Sequence, residues 1–131
     1  MKISTKGRYA LAIMLDIAEF YNEDKFVSLN EISEKENISL KYLEKIMINL
    51  KKQDFFITSR GSTGGYKLKY SPEHYRIGDI IKAAEEDIKV VSCIEDTNCP
   101  KKGICRTYPL WKGLSDEINE YLNSKTLKDY L

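Results

Sequence analysis

Residues 38–70 read ISLKYLEKIMINLKKQDFFITSRGSTGGYKLKY, and they constrain the architecture more than any other part of the chain. After Ser39, apolar residues recur at helical spacing and form an inward stripe of Leu40, Leu43, Ile46, Met47 and Leu50. The opposite face is polar and rich in cations, with Lys41, Tyr42, Glu44, Lys45, Asn49 and Lys52. This pattern predicts an amphipathic helix that Ser39 caps.

A β-hairpin is predicted directly after this helix. Residues 55–59 are rich in β-formers, and residues 66–70 alternate aromatic or apolar side chains with lysine, as in a half-buried strand. The connection Arg60–Gly65 contains three glycines, which permit the positive φ of a tight turn and a close approach of backbone to another molecule.

A shorter helix is predicted to precede the helix that Ser39 caps. Ser28 and Glu31 have capping-box spacing, and Leu29 and Ile32 supply its inward face. Two helices joined by a short turn are equally consistent with an ordinary helical hairpin. The hairpin that follows them is far more specific, because helix, helix and wing in this order form a winged helix-turn-helix that binds DNA.

Positive charge is concentrated in the predicted recognition helix and wing, as DNA binding requires. The whole chain has a formal net charge of +1, but residues 38–69 contain seven Lys and Arg against two Asp and Glu. A local excess of this size suits a surface that binds phosphates. Lys6 and Arg8, at the start of a first helix that runs from Ser4 or Thr5 to about Tyr21, are candidates for further phosphate contacts. Arg60, at the base of the wing, is a candidate for insertion into a narrow minor groove.

The three cysteines lie in one segment, which is predicted to be a loop. Five residues separate Cys93 from Cys99, and five separate Cys99 from Cys105. Thiolates are soft ligands for zinc, copper(I) or iron–sulfur clusters, and three are one too few for a closed four-thiolate site. Either another residue completes a metal site, or the site stays open, or no metal binds. His74, the only histidine, is predicted to be an exposed residue without a special role.

A last long helix is predicted to follow Thr107, which can cap it, and to present an apolar face of Leu110, Leu114, Ile118, Tyr121 and Leu122. This face suits a two-fold dimer seam, and the alternative is packing on its own domain.

A short helix is predicted from Ser124 through Leu127. The expected fold is mainly α with a small β-hairpin, organised in one compact domain as a winged helix-turn-helix over residues 1–88, a cysteine loop over 89–107, and dimerisation and C-terminal helices over 108–131.

Composition excludes several classes of protein. With 42% hydrophobic residues the chain can build a core, and no apolar run is long enough to span a bilayer. An odd cysteine count and an N-terminus without the features of a secretory signal predict a cytoplasmic protein without a membrane partner. No paired catalytic carboxylates with a companion base and no nucleotide-binding glycine loop occur, so we expect neither an enzyme nor a small-molecule substrate. A small redox or cluster-carrier protein is a weaker alternative.

Five stretches together resemble a known family: residues 4–11 (STKGRYAL), 38–44 (ISLKYLE), 60–66 (RGSTGGY), the cysteine loop and 110–116 (LWKGLSD). They are similar, in the same order, to the IscR-type family of iron–sulfur cluster regulators, which includes NsrR and CymR. The resemblance implies a dimeric winged-helix transcription regulator, expected to be a repressor, on palindromic double-stranded DNA. It implies an iron–sulfur cluster, [2Fe–2S] in the IscR branch, whose state changes which DNA sites are bound.

The resemblance also assigns roles to individual residues. It implies that Cys93, Cys99 and Cys105 are the cluster ligands. It places Ser39, Lys41 and Tyr42 at the start of the recognition helix, and Glu44, Arg60 and Gly61 at positions that read bases or a groove. Tyr108 stands where the IscR branch has a histidine as fourth ligand. The candidates for the fourth ligand are therefore Tyr108, Glu95, Asp96, a residue of the partner subunit or a small exogenous ligand. The alternative within the family is control by thiol oxidation, zinc or a partner protein, without a cluster.

Overall fold

A computed structural model describes residues 3–84, 90–95, 99–101 and 103–131. These residues form the helices α1 (Thr5–Ala18), α2 (Leu29–Glu36), α3 (Leu40–Leu50), α4 (Ile77–Ala83) and α5 (Tyr108–Ser124), and the strands β1 (Phe56–Ser59) and β2 (Gly65–Leu68). Short 3₁₀ turns lie at Pro72–His74, Ser92–Glu95 and Leu127–Tyr130. The mainly helical winged helix-turn-helix predicted from the sequence is confirmed.

One core joins α1, α3 and α4. From α3 it takes four of the five residues predicted to face inward, and all four are at most 1% exposed: Leu43, Ile46, Met47 and Leu50. Around them lie fully buried residues from every other part of the winged domain, among them Ile13, Met14, Ile17, Ile32, Leu68 and Ile80. Burying side chains of this size contributes roughly 1.5–3 kcal/mol each, so this contact fixes the direction in which the opposite face of α3 points.

Two residues of α3 were assigned to the wrong face. Leu40 is 37% exposed, because it is the first residue of the helix and its side chain extends past the end of the core. Asn49 was assigned to the outward face but is only 8% exposed. At about 100° per residue it lies only about 60° from Ile46, on the flank of the buried stripe. Its carboxamide oxygen accepts a hydrogen bond from Lys52 Nζ at 3.3 Å.

Serine side chains begin the first three helices. Ser4 accepts a hydrogen bond from the backbone N–H of Gly7, Ser28 from that of Glu31, and Ser39 from that of Tyr42. Glu31 does not complete the predicted capping box, because its carboxylate accepts hydrogen bonds from Ser28 Oγ and Lys25 Nζ instead.

Two predicted helix boundaries were wrong. α1 ends at Ala18, and non-helical turns replace its predicted continuation towards Tyr21. The short terminal helix predicted over residues 124–127 is a 3₁₀ turn at Leu127–Tyr130 instead, because Thr126 and Asp129 satisfy each other's backbone N–H groups at its start.

The wing is a two-stranded antiparallel hairpin that is also anchored to the start of α2. Phe56 pairs with Leu68 and Ser59 with Gly65, so both strands are shorter than predicted. Val27 and Tyr66 exchange two backbone hydrogen bonds of 2.8 Å each. The Tyr75 hydroxyl donates to the Phe55 carbonyl oxygen at 2.7 Å and so fixes the other end of the hairpin. The wing therefore has a fixed position relative to α2 and α3.

An ion pair between a buried carboxylate and an exposed lysine joins α1 to α2. The Asp16 side chain is 8% exposed, and its Oδ1 lies 2.8 Å from Lys35 Nζ, which also contacts Glu19 Oε2 at 2.9 Å. The Asp16 carboxylate raises the pKa of Glu36, which also lies at the end of α2. The cluster thus fastens the helix that precedes the recognition helix to the core.

Gly65→Ala is expected to destabilise the fold. Gly65 has φ +151°, and a Cβ there would overlap the carbonyl of Val27, the partner in the bridge that anchors the wing. Both the clash and the backbone conformation oppose alanine, so we expect a loss of at least about 2 kcal/mol. Urea unfolding of the apoprotein measures it. Gly103→Ala, in open space, serves as the control and should change stability by less than about 0.5 kcal/mol. Equal stability of the two variants would contradict the described packing of the wing.

No helix in the described part of the chain is long and apolar enough to cross a membrane.

Candidate nucleic-acid interface and metal centre

The outward face of α3 consists of exposed side chains that continue past its C-terminus: Lys41, Glu44, Lys45, Ile48, Lys51 and Lys52. Ser39 is also exposed at the start of the helix. Tyr42 is half-buried, because its ring packs edge-on against Tyr9 of α1 at a centroid distance of 5.8 Å. The predicted DNA-contacting residues of α3 therefore share one surface, with Tyr42 at its margin.

The start of α1 lies next to this surface, because Tyr9 carries the contact with Tyr42. Arg8 is exposed, and its guanidinium donates a hydrogen bond to Thr5 Oγ1 at 3.4 Å. Lys6 is half-buried. Among the two predicted phosphate contacts of α1, Arg8 is thus the more accessible.

Arg60 and Gly61 are both exposed at the turn of the wing. Arg60 follows the last residue of β1, so it lies at the turn and not at the base of the hairpin, where it was predicted. Gly61 has φ +102° and open space around its Cα, and its carbonyl accepts a hydrogen bond from the Gly64 N–H at 3.1 Å. Glycine suits this conformation because a side chain would strain it. The turn therefore presents one cation on a slender loop.

The cations of this region fall into two groups, according to whether they form an ion pair within the chain. Lys67 contacts Asp24 at 3.1 Å and Lys69 contacts Asp54 at 2.7 Å, so both wing lysines are neutralised within the chain. Four other cations form no ion pair with any other described residue: Lys41, Lys45, Lys51 and Arg60. The uncompensated charge is therefore on α3 and the wing turn. Lys51, which was not predicted as a DNA contact, belongs to this group.

The three cysteines are free thiols, each half-buried. Cys93 lies in the 3₁₀ turn Ser92–Glu95, which packs against α5, and Cys105 lies three residues before the first residue of that helix. Within the described ranges, no three His, Cys, Asp or Glu side chains gather closely enough to hold a metal ion. Asp96 and the side chain of Glu95, two of the predicted fourth ligands, lie outside the described residues.

The start of α5 favours a thiolate at Cys105. Its Sγ lies 3.4 Å from Thr107 Oγ1, and this hydrogen bond lowers the pKa of the Cys105 thiol, helped by the backbone N–H groups of Thr107 and Tyr108 and by Lys101. The Thr107 hydroxyl faces the sulfur and makes no capping hydrogen bond with α5, contrary to its predicted role as a cap. Three soft sulfur donors, one with a lowered pKa, suit iron or zinc chemically. Metal binding would have to draw the sulfurs together, and coupling between binding and local folding is common in such sites.

Tyr108, the third predicted candidate for a fourth ligand within the chain, is the first residue of α5 and is half-buried. It directly follows Thr107, whose hydroxyl contacts the Cys105 sulfur. Residue 108 is therefore close to Cys105 in the fold, and its backbone N–H helps to lower the pKa of the Cys105 thiol.

α5 has two apolar faces, not one. Leu122 packs against the core of its own chain, and Ser115 is buried on the same side. Leu110, Leu114 and Tyr121 are 62%, 40% and 60% exposed, and at about 100° per residue they lie within about 40° of one another. Ile118 lies between the two faces and is half-buried. Of the five predicted dimerisation residues, Leu122 is therefore used inside the chain, and the exposed stripe consists of Leu110, Leu114 and Tyr121.

The chain is similar over nearly its whole length to known regulators. Residues 3–131 match the model of the Rrf2 family, described as "Iron-dependent Transcriptional regulator". The HTH-type transcriptional regulator IscR of Pectobacterium carotovorum is 37% identical over 129 residues, which is 98% of this chain and 78% of that protein. The similar proteins are named as transcriptional regulators, not as enzymes, in agreement with the prediction.

Two solved structures share the fold. CymR of B. subtilis, described as the global cysteine regulator, superposes with a TM-score of 0.80 at 37% identity and covers 99% of this chain and 95% of its own. IscR of T. potens superposes with a TM-score of 0.79 at 33% identity, and the match covers 99% of this chain and 85% of that one. The winged fold, the exposed cationic helix and this full-length similarity agree: the chain belongs to the Rrf2 family of transcriptional regulators.

Proposed function

We propose that this regulator is a homodimer that binds palindromic promoter DNA, represses transcription, and holds an iron–sulfur cluster, of the [2Fe–2S] type, with Cys93, Cys99 and Cys105. The observation that carries the proposed DNA binding is the outward face of α3, where the lysines form no ion pair with another described residue. Lys67 and Lys69 of the wing, in contrast, are neutralised by Asp24 and Asp54. A regulator of this kind works in the cytoplasm, where the DNA is.

In the proposed complex α3 enters the major groove and the wing turn reaches the minor groove. Ser39, Lys41 and Tyr42 then lie at the leading end of α3, and Lys45 and Lys52 lie further along it near phosphates. Glu44 is the candidate base reader, because a carboxylate near phosphates costs electrostatic energy that a cytosine amino group can offset. Lys6 and Arg8 of α1 would contact the adjoining backbone. In a two-fold dimer the two α3 helices would lie one turn of DNA apart, roughly 34 Å.

Selection of duplexes from a random library tests the DNA part. We expect enrichment of one palindromic sequence, with an affinity that falls steeply as salt rises, because lysine and arginine contacts release counterions. The salt dependence of binding should be measured on the same duplex, with protein prepared with and without its metal. If neither form prefers the selected duplex over random DNA at moderate salt, the proposal is wrong.

Arg60→Ala is expected to weaken DNA binding. The exposed guanidinium at the wing turn forms no ion pair with other described residues, so its loss removes a contact to DNA without disturbing the fold. We expect a cost of about 1–3 kcal/mol if it reads a base edge, and unchanged metal content. Lys112→Ala on α5, a lysine paired with Asp116 and remote from the wing in sequence, is the control and should keep full affinity. Equal affinity of Arg60→Ala and wild type would remove Arg60 from the interface.

The cluster part rests on the donor chemistry of the cysteine segment. Three free thiols within thirteen residues, with Cys105 poised towards the thiolate, supply soft ligands that suit iron–sulfur clusters. A bound cluster would supply a redox- and iron-sensitive group beside α5. The chain's own contribution is the 3₁₀ turn that carries Cys93 and packs against α5, which links the cysteine segment to the proposed dimer helix.

The alternative is control by thiol oxidation, zinc or a partner protein, without a cluster. Two observations favour it: Tyr108 stands where a histidine ligand is expected, and no three donors gather in the described residues. CymR, which superposes closely, is described as a cysteine regulator. Zinc without sulfide in the anaerobically purified protein would favour this alternative. DNA binding that is lost on oxidation and restored by a thiol reductant would favour it too.

Tyr108→His is expected to hold its cluster longer in air than the wild-type protein. Residue 108 lies three positions after Cys105, at the start of α5, and a neutral imidazole is a good iron ligand near neutral pH. A phenol binds iron only as phenolate, and its reference pKa is about 10. The decay of visible absorption in air-saturated buffer measures the difference, and Tyr108→Phe, which should match wild type, is the control. Equal or faster decay in Tyr108→His would mean that another group already fills the fourth position.

The dimer part rests on the exposed stripe of α5. Leu110, Leu114 and Tyr121 share one direction, roughly 100° away from the Leu122 and Ser115 side that packs on the chain's own core. A helix with a second apolar face is typical of an interface between two copies, because exposing it to water is unfavourable. Two antiparallel α5 helices related by a two-fold axis would cover the stripe of each chain with that of the other.

A further inference from the structure

We propose that Ile48 is a specificity-determining residue that reads the methyl group of a thymine in the major groove. This inference rests on the proposed DNA contact of α3 and adds to it a residue that neither the charge pattern nor the family resemblance singles out. Ile48 is 58% exposed, more than any other large apolar side chain that the structure describes in the winged helix-turn-helix. The other apolar residues of α3 are buried, except for Leu40 at its first turn.

Ile48 points almost directly away from the core. At about 100° per residue it lies roughly 150° from the mean direction of the four fully buried residues of α3. On the same basis Lys41, Glu44 and Lys52 lie within about 40° of it. Lys45 and Lys51 lie about 60° away on either side. The single apolar group is therefore at the centre of a ring of charged side chains.

That position decides what Ile48 can contact. When the lysines on its two sides reach the phosphate backbones, the centre of the face points to the floor of the groove, where the base edges lie. The only apolar group on the base edges of the major groove is the C5-methyl of thymine. Ile48 is also branched at Cβ, so it loses little rotamer freedom on contact. A lysine or glutamate at this point would contact the polar edges of the bases. Isoleucine, in contrast, adds binding free energy only where a methyl group is buried against it.

The fold does not account for Ile48. Isoleucine has a lower helix propensity than alanine and gains little from burial at this site, where it is 58% exposed, so the helix alone does not favour it. Ile48→Ala is therefore expected to fold as wild type does, which makes it a clean probe of recognition. Ile57, on β1 of the wing and 45% exposed, is a matched control because it is another exposed isoleucine of the same domain on a different element.

The experiment uses the full-length protein and the duplex that wild type selects from a random library. Each thymine is replaced in turn by uracil, which removes the methyl group and keeps base pairing. For wild type we expect one position at which uracil weakens binding roughly fourfold, the value of one buried methyl-sized group. Ile48→Ala should bind the thymine duplex roughly fourfold more weakly than wild type and show no further loss with uracil there. Ile57→Ala should keep the full uracil penalty.

Two results would overturn the proposal: an Ile48→Ala variant with the same uracil penalties as wild type at every position, or wild-type binding that no uracil weakens. If wild type selects no duplex at all, the proposed DNA contact itself fails, and that outcome is recognised before any uracil is introduced.

Discussion

Replacing any one of Cys93, Cys99 and Cys105 with alanine is expected to give a colourless protein that still folds. Two thiolates are too few to hold a cluster against solvent, so each single replacement should remove essentially all iron and sulfide. The core does not depend on these side chains, because all three cysteines lie outside the buried cluster that joins α1, α3 and α4. The expected effect on cluster content is therefore close to complete, and the effect on stability of the apoprotein is small.

Visible absorption, iron and sulfide content after anaerobic purification measure the loss, and far-ultraviolet circular dichroism reports the fold. Ile104→Ala is the matched control, because Ile104 is 79% exposed within the same segment and supplies no ligand. It should keep the cluster. A single cysteine variant that retained iron and sulfide at the wild-type ratio would show that this cysteine is not a ligand.

Leu114→Asp is expected to convert the proposed dimer into a monomer and to lower DNA affinity with it. Leu114 is at the middle of the exposed stripe of α5, so two-fold symmetry would bury two carboxylates against apolar partners. Burying an unpaired charge costs several kcal/mol, and even about 3 kcal/mol weakens dimerisation more than a hundredfold. The DNA affinity should fall by a comparable factor, because a monomer contacts one half-site only and loses the gain from linking two sites.

Sedimentation equilibrium over a range of concentrations measures the dimer constant, and binding to the selected palindrome measures the second effect. Glu120→Ala is the control, since Glu120 is exposed on α5 away from the stripe. If Leu114→Asp dimerises as tightly as wild type, the interface lies on another surface of the chain. If it becomes monomeric without loss of DNA affinity, the dimer is not the DNA-binding form.

Local patterns predicted most of the fold because they report local forces. The spacing of Leu43, Ile46 and Leu50 gave the buried face of α3, and Ser28 and Ser39 gave two helix starts, since both depend on neighbours within one or two turns. Leu40 and Asn49 were assigned to the wrong faces of α3 because their burial depends on where the core ends. Thr107 was misread as a cap because its hydroxyl contacts a sulfur instead.

The candidate site was predicted less completely because its electrostatics are long-range. The count of cations in residues 38–69 predicted a basic region, but it could not show that Asp24 and Asp54 neutralise Lys67 and Lys69. Ile48 was not predicted to lie on the outward face, although its spacing of four from Glu44 places it there, because an apolar residue in an amphipathic helix is expected to face the core. The division of α5 into two apolar faces was also hidden, since Leu122 has the same periodicity as Leu114 and differs only in what it contacts.

The central claim is that the three-cysteine segment holds an iron–sulfur cluster, and the iron and acid-labile sulfide content of anaerobically purified wild-type protein tests it most directly. We expect iron and sulfide in equal amounts, together with visible absorption that disappears when the cluster is removed. Zinc without sulfide, or protein that contains neither iron nor sulfide when kept strictly without oxygen, would contradict the claim and leave thiol or zinc chemistry as the basis of regulation.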